Sequence, residues 1–332
     1  MEHLLEQLFV SLSLPILFLI IAVLIVTLGK GADILVDEAV SLSVRWGVPK
    51  ILIGATIVSL GTTLPEVSVS VLAAINGSPG LALGNAVGSI ICDTGLILGI
   101  AAIIAPLPMN ARIVNRQGWV QLGSGVLLIV SCLSGKLPQF MGFVFLGLLV
   151  VYIWASLYWV KKEGQNDSTF DTVLKVDQAN SGFILLKLIL GIILVIASSK
   201  VLIPAVQEVA LRLYVPESII AATLVAFGTS LPELVTAIMS ARKGHGDLAV
   251  GNIVGADILN VLFVSGAAAA VTPKGLNVDP NFFYFLFPAM LLILVVFRIG
   301  IFISKDTLKR SFGLLLLGIY IMLTILSYVY KT

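Results

Sequence analysis

The sequence predicts an all-α polytopic membrane protein, with ten transmembrane helices arranged as two inverted five-helix repeats. Three observations lead there: scarce charge, long uncharged runs, and a motif pair that recurs at one offset. Only 11% of the 332 residues are Asp, Glu, Lys or Arg, against roughly 25% for an average soluble domain. Hydrophobic residues make up 58% and the mean hydropathy is +1.09. So few charges cannot cover the surface of a water-soluble protein of this size. An ordinary soluble enzyme, a disordered chain and a secreted disulfide scaffold are excluded. The net charge of +2 gives no reason to expect nucleic acid as a partner.

Uncharged runs longer than about 18 residues are candidate spans. Phe9–Gly29, Gln117–Gly135, Leu137–Val160, Pro280–Phe297 and Ser311–Tyr330 qualify directly. Ile51–Ala111 carries only Glu66 and Asp93 and must hold two spans, with a turn at Asn76-Gly77-Ser78-Pro79. Ser218–Pro273 reads the same way, with a turn over Arg242–Asp247. Gly182–Ile203 completes ten, with Lys187 and Lys200 flanking its apolar centre. Residues 1–160 form the first five-helix repeat, 161–181 a hydrophilic cytoplasmic linker and 182–332 the second repeat. Lys and Arg concentrate in the loops that face the cytoplasm if both termini lie outside, twelve against four. The expected location is the cell inner membrane, with the lipid bilayer as surroundings. MEHLLEQ is acidic and does not read as a signal peptide. Cys92 and Cys132 fall in apolar spans and read as free thiols.

Gly61-Thr62-Thr63-Leu64-Pro65-Glu66 recurs as Gly228-Thr229-Ser230-Leu231-Pro232-Glu233, 167 residues on. At the same offset Gly84-Asn85-Ala86-Val87-Gly88 matches Gly251-Asn252-Ile253-Val254-Gly255, and Pro49 matches Pro216. An odd number of helices per half makes the halves insert in opposite senses. That is the plan of many secondary transporters, whose sites lie near the midplane on interrupted helices.

Glu66 and Glu233 lie deep in uncharged runs. On a helix Thr62 and Thr63 share a face with Glu66, and Ser59 and Ser70 extend it. Thr229 and Ser230 stand likewise to Glu233. Pro65 leaves the Gly61 carbonyl without its helical donor, and Pro232 does so for Gly228. Each repeat thus offers a carboxylate, hydroxyls and a bare carbonyl, an all-oxygen set that suits hard cations such as Ca²⁺ and Na⁺. Asn85, Ser89 and Asp93 are spaced by four on the next helix. Their counterparts are Asn252, Ala256 and Asn260, with Asp257 close to that face as either a ligand or a helix-packing partner. Gly84, Gly88, Gly251 and Gly255 allow close helix approach. Asp33, Asp37 and Glu38 read as interfacial pairs with Lys30 and Arg45, and Asp247 as a turn or cap residue. His3 and His245 sit at ends or loops, so a His-based transition-metal site is unsupported.

Gly-Thr-(Thr/Ser)-Leu-Pro-Glu followed by Gly-Asn-x-x-Gly, present twice, resembles the two α-repeats of the sodium/calcium exchangers, in the calcium/cation antiporter superfamily and of its prokaryotic type. The resemblance implies cation sites between the second, third, seventh and eighth helices. Glu66 and Glu233 would then be the main Ca²⁺ ligands. Thr62 and Thr229 would add backbone carbonyls, Thr63 and Ser230 hydroxyls, and Ser59 and Ala226 carbonyls for Na⁺. Ser89, Asp93, Ala256 and Asn260 match the remaining site positions. Prokaryotic members carry Ser where Ala256 stands and often place Asn on the third helix and Asp on the eighth. Here that acid and amide are exchanged. The proton-coupled branch typically has Glu at the end of Gly-Asn-x-x-Gly, where this chain has Gly88 and Gly255. The potassium-dependent branch typically has Asp where Asn260 stands.

The expected activity is secondary active exchange of Ca²⁺ for Na⁺ by alternating access, with both ions as cargo, no cofactor and no required protein partner. H⁺-coupled exchange of Ca²⁺, or exchange of another divalent cation, is the alternative. A cation channel is disfavoured because channels usually assemble rings from several subunits. A membrane-embedded metalloprotease lacks its His-Glu-x-x-His motif, so no enzyme activity is expected.

Overall fold

The computed structural model describes residues 8–108, 111–163, 181–213, 228–304 and 306–329. The chain enters through α1 (Leu14–Trp46), which ends where Gly47 takes a left-handed φ of 62°. Then follow α2 (Lys50–Thr62) and α3 (Leu64–Ile75), bent by 44° at one break. Next come α4 (Pro79–Ile104), α5 (Ala111–Cys132), α6 (Gln139–Glu163) and α7 (Ser181–Arg212). The second half continues with α8 (Leu231–Arg242), α9 (Gly246–Ala270), α10 (Phe282–Ser304) and α11 (Arg310–Val329). Among the described residues seven helices are long and apolar enough to cross a membrane, and the bent pair α2–α3 makes an eighth. The chain is a polytopic helical membrane protein. The turns expected at Asn76-Gly77 and Lys243-Gly244 are present, with Gly77 at φ 75° and Gly244 at φ 76°. Those left-handed angles strain any residue with a Cβ.

Helix composition sorts the layers. Within its apolar window α9 is 83% buried and α1 only 17%. The outer helices expose Leu19, Val150 and Leu314, as side chains facing lipid should. Hydrophobicity cannot drive helices together in lipid, so contact depends on small residues and close backbone approach. At the centre α9 crosses α2 almost backbone to backbone. A Cβ on Gly251 would lie 2.1 Å from the Ile51 carbonyl oxygen, and one on Gly255 2.5 Å from Ala55 Cα. Gly84 and Gly88 differ from the expectation: among the described residues nothing lies within 4 Å of a Cβ on Gly88.

The peripheral helices α1 and α7 also pair closely, since a Cβ on Gly191 would meet Leu35 N at 2.8 Å. Each has more than 30 residues, about 45–50 Å at 1.5 Å per residue, so both outspan a hydrocarbon core of about 30 Å and must tilt. Two short antiparallel pairs tie the halves at opposite ends of α5. Leu107 and Pro108 (β1) pair with Leu308 and Thr307 (β4). Lys136 and Leu137 (β2) pair with Asn277 and Leu276 (β3). Loops that the charge count assigned to one side therefore meet one another.

The charged residues of α1 find other partners than expected. Asp33 and Asp37 pair with Lys243, the latter at 2.7 Å, and Glu38 pairs with Lys187 at 3.2 Å. Lys30 and Arg45 flank these acids in the sequence, but the fold brings the α8–α9 turn and α7 against this end of α1. Asp247 does lie in the first turn of α9, accepting from Leu248 N at 3.0 Å. Cys92 and Cys132 are buried and unpaired.

Two outcomes follow. Gly251→Ala should lower stability by about 1–3 kcal/mol through overpacking against Ile51, read as a fall in the detergent-solubilised melting temperature, whereas Gly88→Ala should have a smaller effect. The second concerns His245, whose Nδ1 lies 3.1 Å from Lys50 Nζ. Burial and then the Lys50 charge hold its imidazole below 6.5. An unfolded chain therefore takes up this proton first. Above that value His245 costs the fold nothing; as the pH falls below it, the folded state loses stability relative to the unfolded chain. His245→Gln should fall less steeply in melting temperature than the wild type over this acid range.

Candidate cation-binding site

The site begins at two breaks in the backbone, one in each motif copy. The α2–α3 helix is interrupted at Thr63 (φ −79°, ψ −3°), and a turn at Ser230 (φ −85°, ψ 9°) leads into α8. Pro65 and Pro232 fall just inside the helices that restart, where a missing N–H costs nothing. Glu66 and Glu233 consequently occupy the first turns of α3 and α8, where the positive end of the helix dipole favours a carboxylate. Both are 1% exposed. Glu66 Oε2 and both carboxylate oxygens of Glu233 have no hydrogen-bond partner. The Thr229 hydroxyl nevertheless stands beside Glu66, and those of Thr62 and Thr63 beside Glu233. Each break thus offers its hydroxyls to the other break's acid.

The Gly-Asn-x-x-Gly segments of α4 and α9 bind the breaks together. Asn85 donates to the Glu66 carbonyl at 3.2 Å and to Ser70 Oγ at 3.0 Å, while its own oxygen accepts from Thr229 Oγ1 at 3.2 Å. Asn252 Oδ1 accepts from Thr62 Oγ1 at 3.5 Å. Ser230 donates to Ser89 at 3.4 Å. Each asparagine therefore reaches the threonine of the opposite motif copy. Ser59 is buried and turned to the Thr56 carbonyl at 3.3 Å. Ala256 is buried. Ala226 lies outside the described residues.

Asp93 and Asn260 meet, with Asn260 Nδ2 donating to Asp93 Oδ2 at 3.4 Å. Each lies in the opening residues of a π-helical turn, Cys92–Ile97 in α4 and Asn260–Ser265 in α9, and such turns are frequent at functional sites. The charge of Asp93 acts on Glu66, so these carboxylates share one neighbourhood. Among the described residues no three His, Cys, Asp or Glu side chains gather closely enough to hold one metal ion. A cation held here would take hydroxyl and carbonyl oxygens along with carboxylates. Asp257 turns toward α4 and α5, where Thr94 Oγ1 of α4 and Gln121 Nε2 of α5 both donate to its Oδ2 at 2.5 Å.

Gln121 is the residue that sequence reasoning missed. It sits in a run taken as a plain span. The available signal was Gln117, Gln121 and Ser124, spaced by four and three among apolar residues. α7 is the other surprise. Its Ile192 Cδ1 lies 2.6 Å from a Cβ position on Gly61, and its Ile203 Cδ1 2.9 Å from that on Gly228. One long helix therefore touches the start of both breaks.

A sequence profile of the sodium/calcium exchanger protein family matches residues 16–158 and 183–329. The chain belongs to the sodium/calcium exchanger family. Both motif copies fall inside the matched segments. Among relatives of this exchanger, the inner membrane protein YrbG of Escherichia coli is 34% identical over 91% of this chain and 93% of its own. The sodium/calcium exchanger MaX1 of Methanosarcina acetivorans is 30% identical over 94% of this chain and 99% of its own. A solved structure of the sodium-calcium exchanger NCX_Mj, soaked with Na⁺ and Sr²⁺, superposes with a TM-score of 0.78 at 26% identity, covering 93% of this chain and 98% of that one. Family membership makes this exchanger a multi-pass membrane antiporter, not an enzyme, with Ca²⁺ and Na⁺ as the transported ions.

Asn85 carries three of the contacts that join the breaks. Asn85→Ala should lower the melting temperature by an amount corresponding to about 1–3 kcal/mol, because it strands polar groups in a buried place. Ser68→Ala, whose hydroxyl bonds only its own helix at Leu64 O, should be close to neutral.

Proposed function

We propose that Ca²⁺ and Na⁺ compete for one buried site built on the two breaks, and that alternating access to this site exchanges them. The observation that carries the reading is the pair Glu66 and Glu233, each at a helix N-terminus, buried, with oxygens that nothing in the protein satisfies. In this reading Glu66, Glu233 and Asp93 are the charged ligands. Thr62 and Thr229 lend backbone carbonyls, and Thr63, Ser230 and Ser89 lend hydroxyls. Asn260 orients Asp93, and Ser59 and Ala226 contribute carbonyls to Na⁺. Three carboxylates carry about −3 when ionised, and an empty charged site is costly to enclose in a low-dielectric body. Neutralisation by one Ca²⁺ or by several Na⁺ lowers that cost and permits occlusion. Shared ligands prevent both ions from occupying the site together, which turns competition into exchange.

The access change falls to α1 and α7, which pair with each other along the outside, with α7 lying over both breaks. Ten crossings form two inverted repeats, 1–160 and 182–332, joined by a cytoplasmic linker at 161–181. The twelve-to-four distribution of loop cations supports an inner-membrane protein with both termini outside. Gly88 and Gly255, in place of the glutamates typical of proton-coupled relatives, support Na⁺ as the coupling ion.

In proteoliposomes an outward Na⁺ gradient should drive ⁴⁵Ca²⁺ uptake, and a pH gradient alone should not. Glu66→Gln and Glu233→Gln should each slow that uptake by more than about a hundredfold, the scale for losing one member of a buried charged set. Full uptake by either variant, or uptake driven by pH alone, overturns the reading.

A further inference from the structure

The polar cluster around Asp257 stands apart from the breaks and is built by three helices. Asp257 comes from α9, Thr94 from the π-helical turn of α4, and Gln121 from α5. All three are at most 2% exposed. Thr94 and Gln121 bind the same carboxylate oxygen, Oδ2, and Gln121 also donates to Thr94 Oγ1 at 3.3 Å. Ser124 Oγ, one turn further along α5, donates back to the Gln121 carbonyl at 2.8 Å. Asp257 Oδ1 is left with no partner, and so is Oδ1 of Asp93. Thr94 follows Asp93 directly in the chain, so its bond to Asp257 brings that carboxylate to the turn that carries Asp93. Two buried carboxylates therefore sit together, each with one oxygen satisfied and one free.

A helix-packing role does not account for this arrangement. Packing needs a hydrogen-bonded group, and an amide at 257 would serve the same neighbours without a second charge. Two unpaired carboxylates in an apolar body repel each other and cost more than either alone. A cation between them removes that cost. The donor set also sorts the cations. Two free carboxylate oxygens and one hydroxyl fall well short of the six to eight oxygens that Ca²⁺ takes. Thr94, Gln121 and Asn260 already weaken the field of the two acids by donating to them. A hard monovalent ion with lower demands fits better.

We propose that Asp257, Thr94 and the free oxygen of Asp93, braced by Gln121, form an accessory Na⁺ site beside the main one. The inference rests on the exchange reading and deepens it. Asp93 becomes the shared wall between the two sites, and Na⁺ gains a place that Ca²⁺ does not use. The exchanger then moves one more Na⁺ per Ca²⁺ than the main site alone supports.

The test compares wild type, Asp257→Asn and Gln121→Glu in proteoliposomes. Asp257→Asn keeps the shape and the neighbours of the side chain and removes only its charge. The readouts are the Na⁺ concentration for half-maximal ⁴⁵Ca²⁺ efflux, the number of Na⁺ per Ca²⁺ from reversal potentials, and Ca²⁺–Ca²⁺ exchange in the absence of Na⁺. Asp257→Asn should raise the half-maximal Na⁺ concentration by about tenfold, the scale of one screened charge contact. It should lower the coupling ratio by one Na⁺, with Ca²⁺–Ca²⁺ exchange still measurable. Gln121→Glu adds a carboxylate to the cluster and should shift Na⁺ dependence the opposite way. An unaltered Na⁺ dependence and ratio in Asp257→Asn overturns the accessory site. Equal loss of Na⁺-driven and Ca²⁺–Ca²⁺ exchange overturns it too, because Asp257 would then belong to the Ca²⁺ site or to folding alone. A wild type that shows no Na⁺-driven Ca²⁺ flux rejects the exchange reading itself and is told apart from both.

Discussion

Glu66, Asp93, Glu233 and Asp257 are held out of solvent, each with at least one carboxylate oxygen left without a hydrogen-bond partner. Burying charge this way is among the most expensive things a membrane protein can do, and neighbouring acids compound the cost. The rest of the molecule is organised around tolerating it. Helix N-termini are turned toward two of the acids, and hydroxyls from the opposite motif copy stand beside them. Carboxylate oxygens left without a protein partner are what the proposed exchange site would offer to an ion.

Holding the acids in place requires backbone geometry that ordinary helices do not provide. Two breaks put Glu66 and Glu233 at the starts of helices, and π-helical turns begin at Cys92, beside Asp93, and at Asn260. Such departures survive only where the surroundings over-determine them. The near-contact of α2 with α9, possible because Gly251 and Gly255 lack side chains, supplies one constraint. The reciprocal asparagine bonds supply the other, since Asn85 and Asn252 each hold the opposite motif copy. Tyr152 on α6 adds a brace by donating to the Ala55 carbonyl at 3.1 Å, within the π-helical turn of α2. Away from this centre the helices expose apolar side chains to lipid, and Arg298 is kept inside by the Trp119 and Phe302 rings at 4.4 and 4.5 Å.

Much of this was legible in the residues alone. Scarce charge and long apolar runs specified a polytopic membrane protein, because hydrocarbon excludes unpaired polar groups regardless of fold. The doubled Gly-Thr-x-Leu-Pro-Glu motif located both breaks, because proline's missing N–H acts locally. Turns at Gly77 and Gly244 followed from the same local logic. These are short-range rules, and one strand of sequence is enough to apply them.

What tertiary structure decided is which distant groups meet. Sequence placed Asp33 and Asp37 beside Lys30 and Arg45, yet Lys243 is their partner, since salt bridges follow the packing of helices more than nearness in the chain. It put Asp257 between ligand and packing roles, and only the approach of α4 and α5 brought Thr94 and Gln121 to it. It grouped Gly84 and Gly88 with Gly251 and Gly255, but among the described residues only the second pair meets a neighbouring backbone. Spacing along one helix states which residues share a face. The partner of that face is set by how whole helices cross, and that crossing is a property of the assembled bundle.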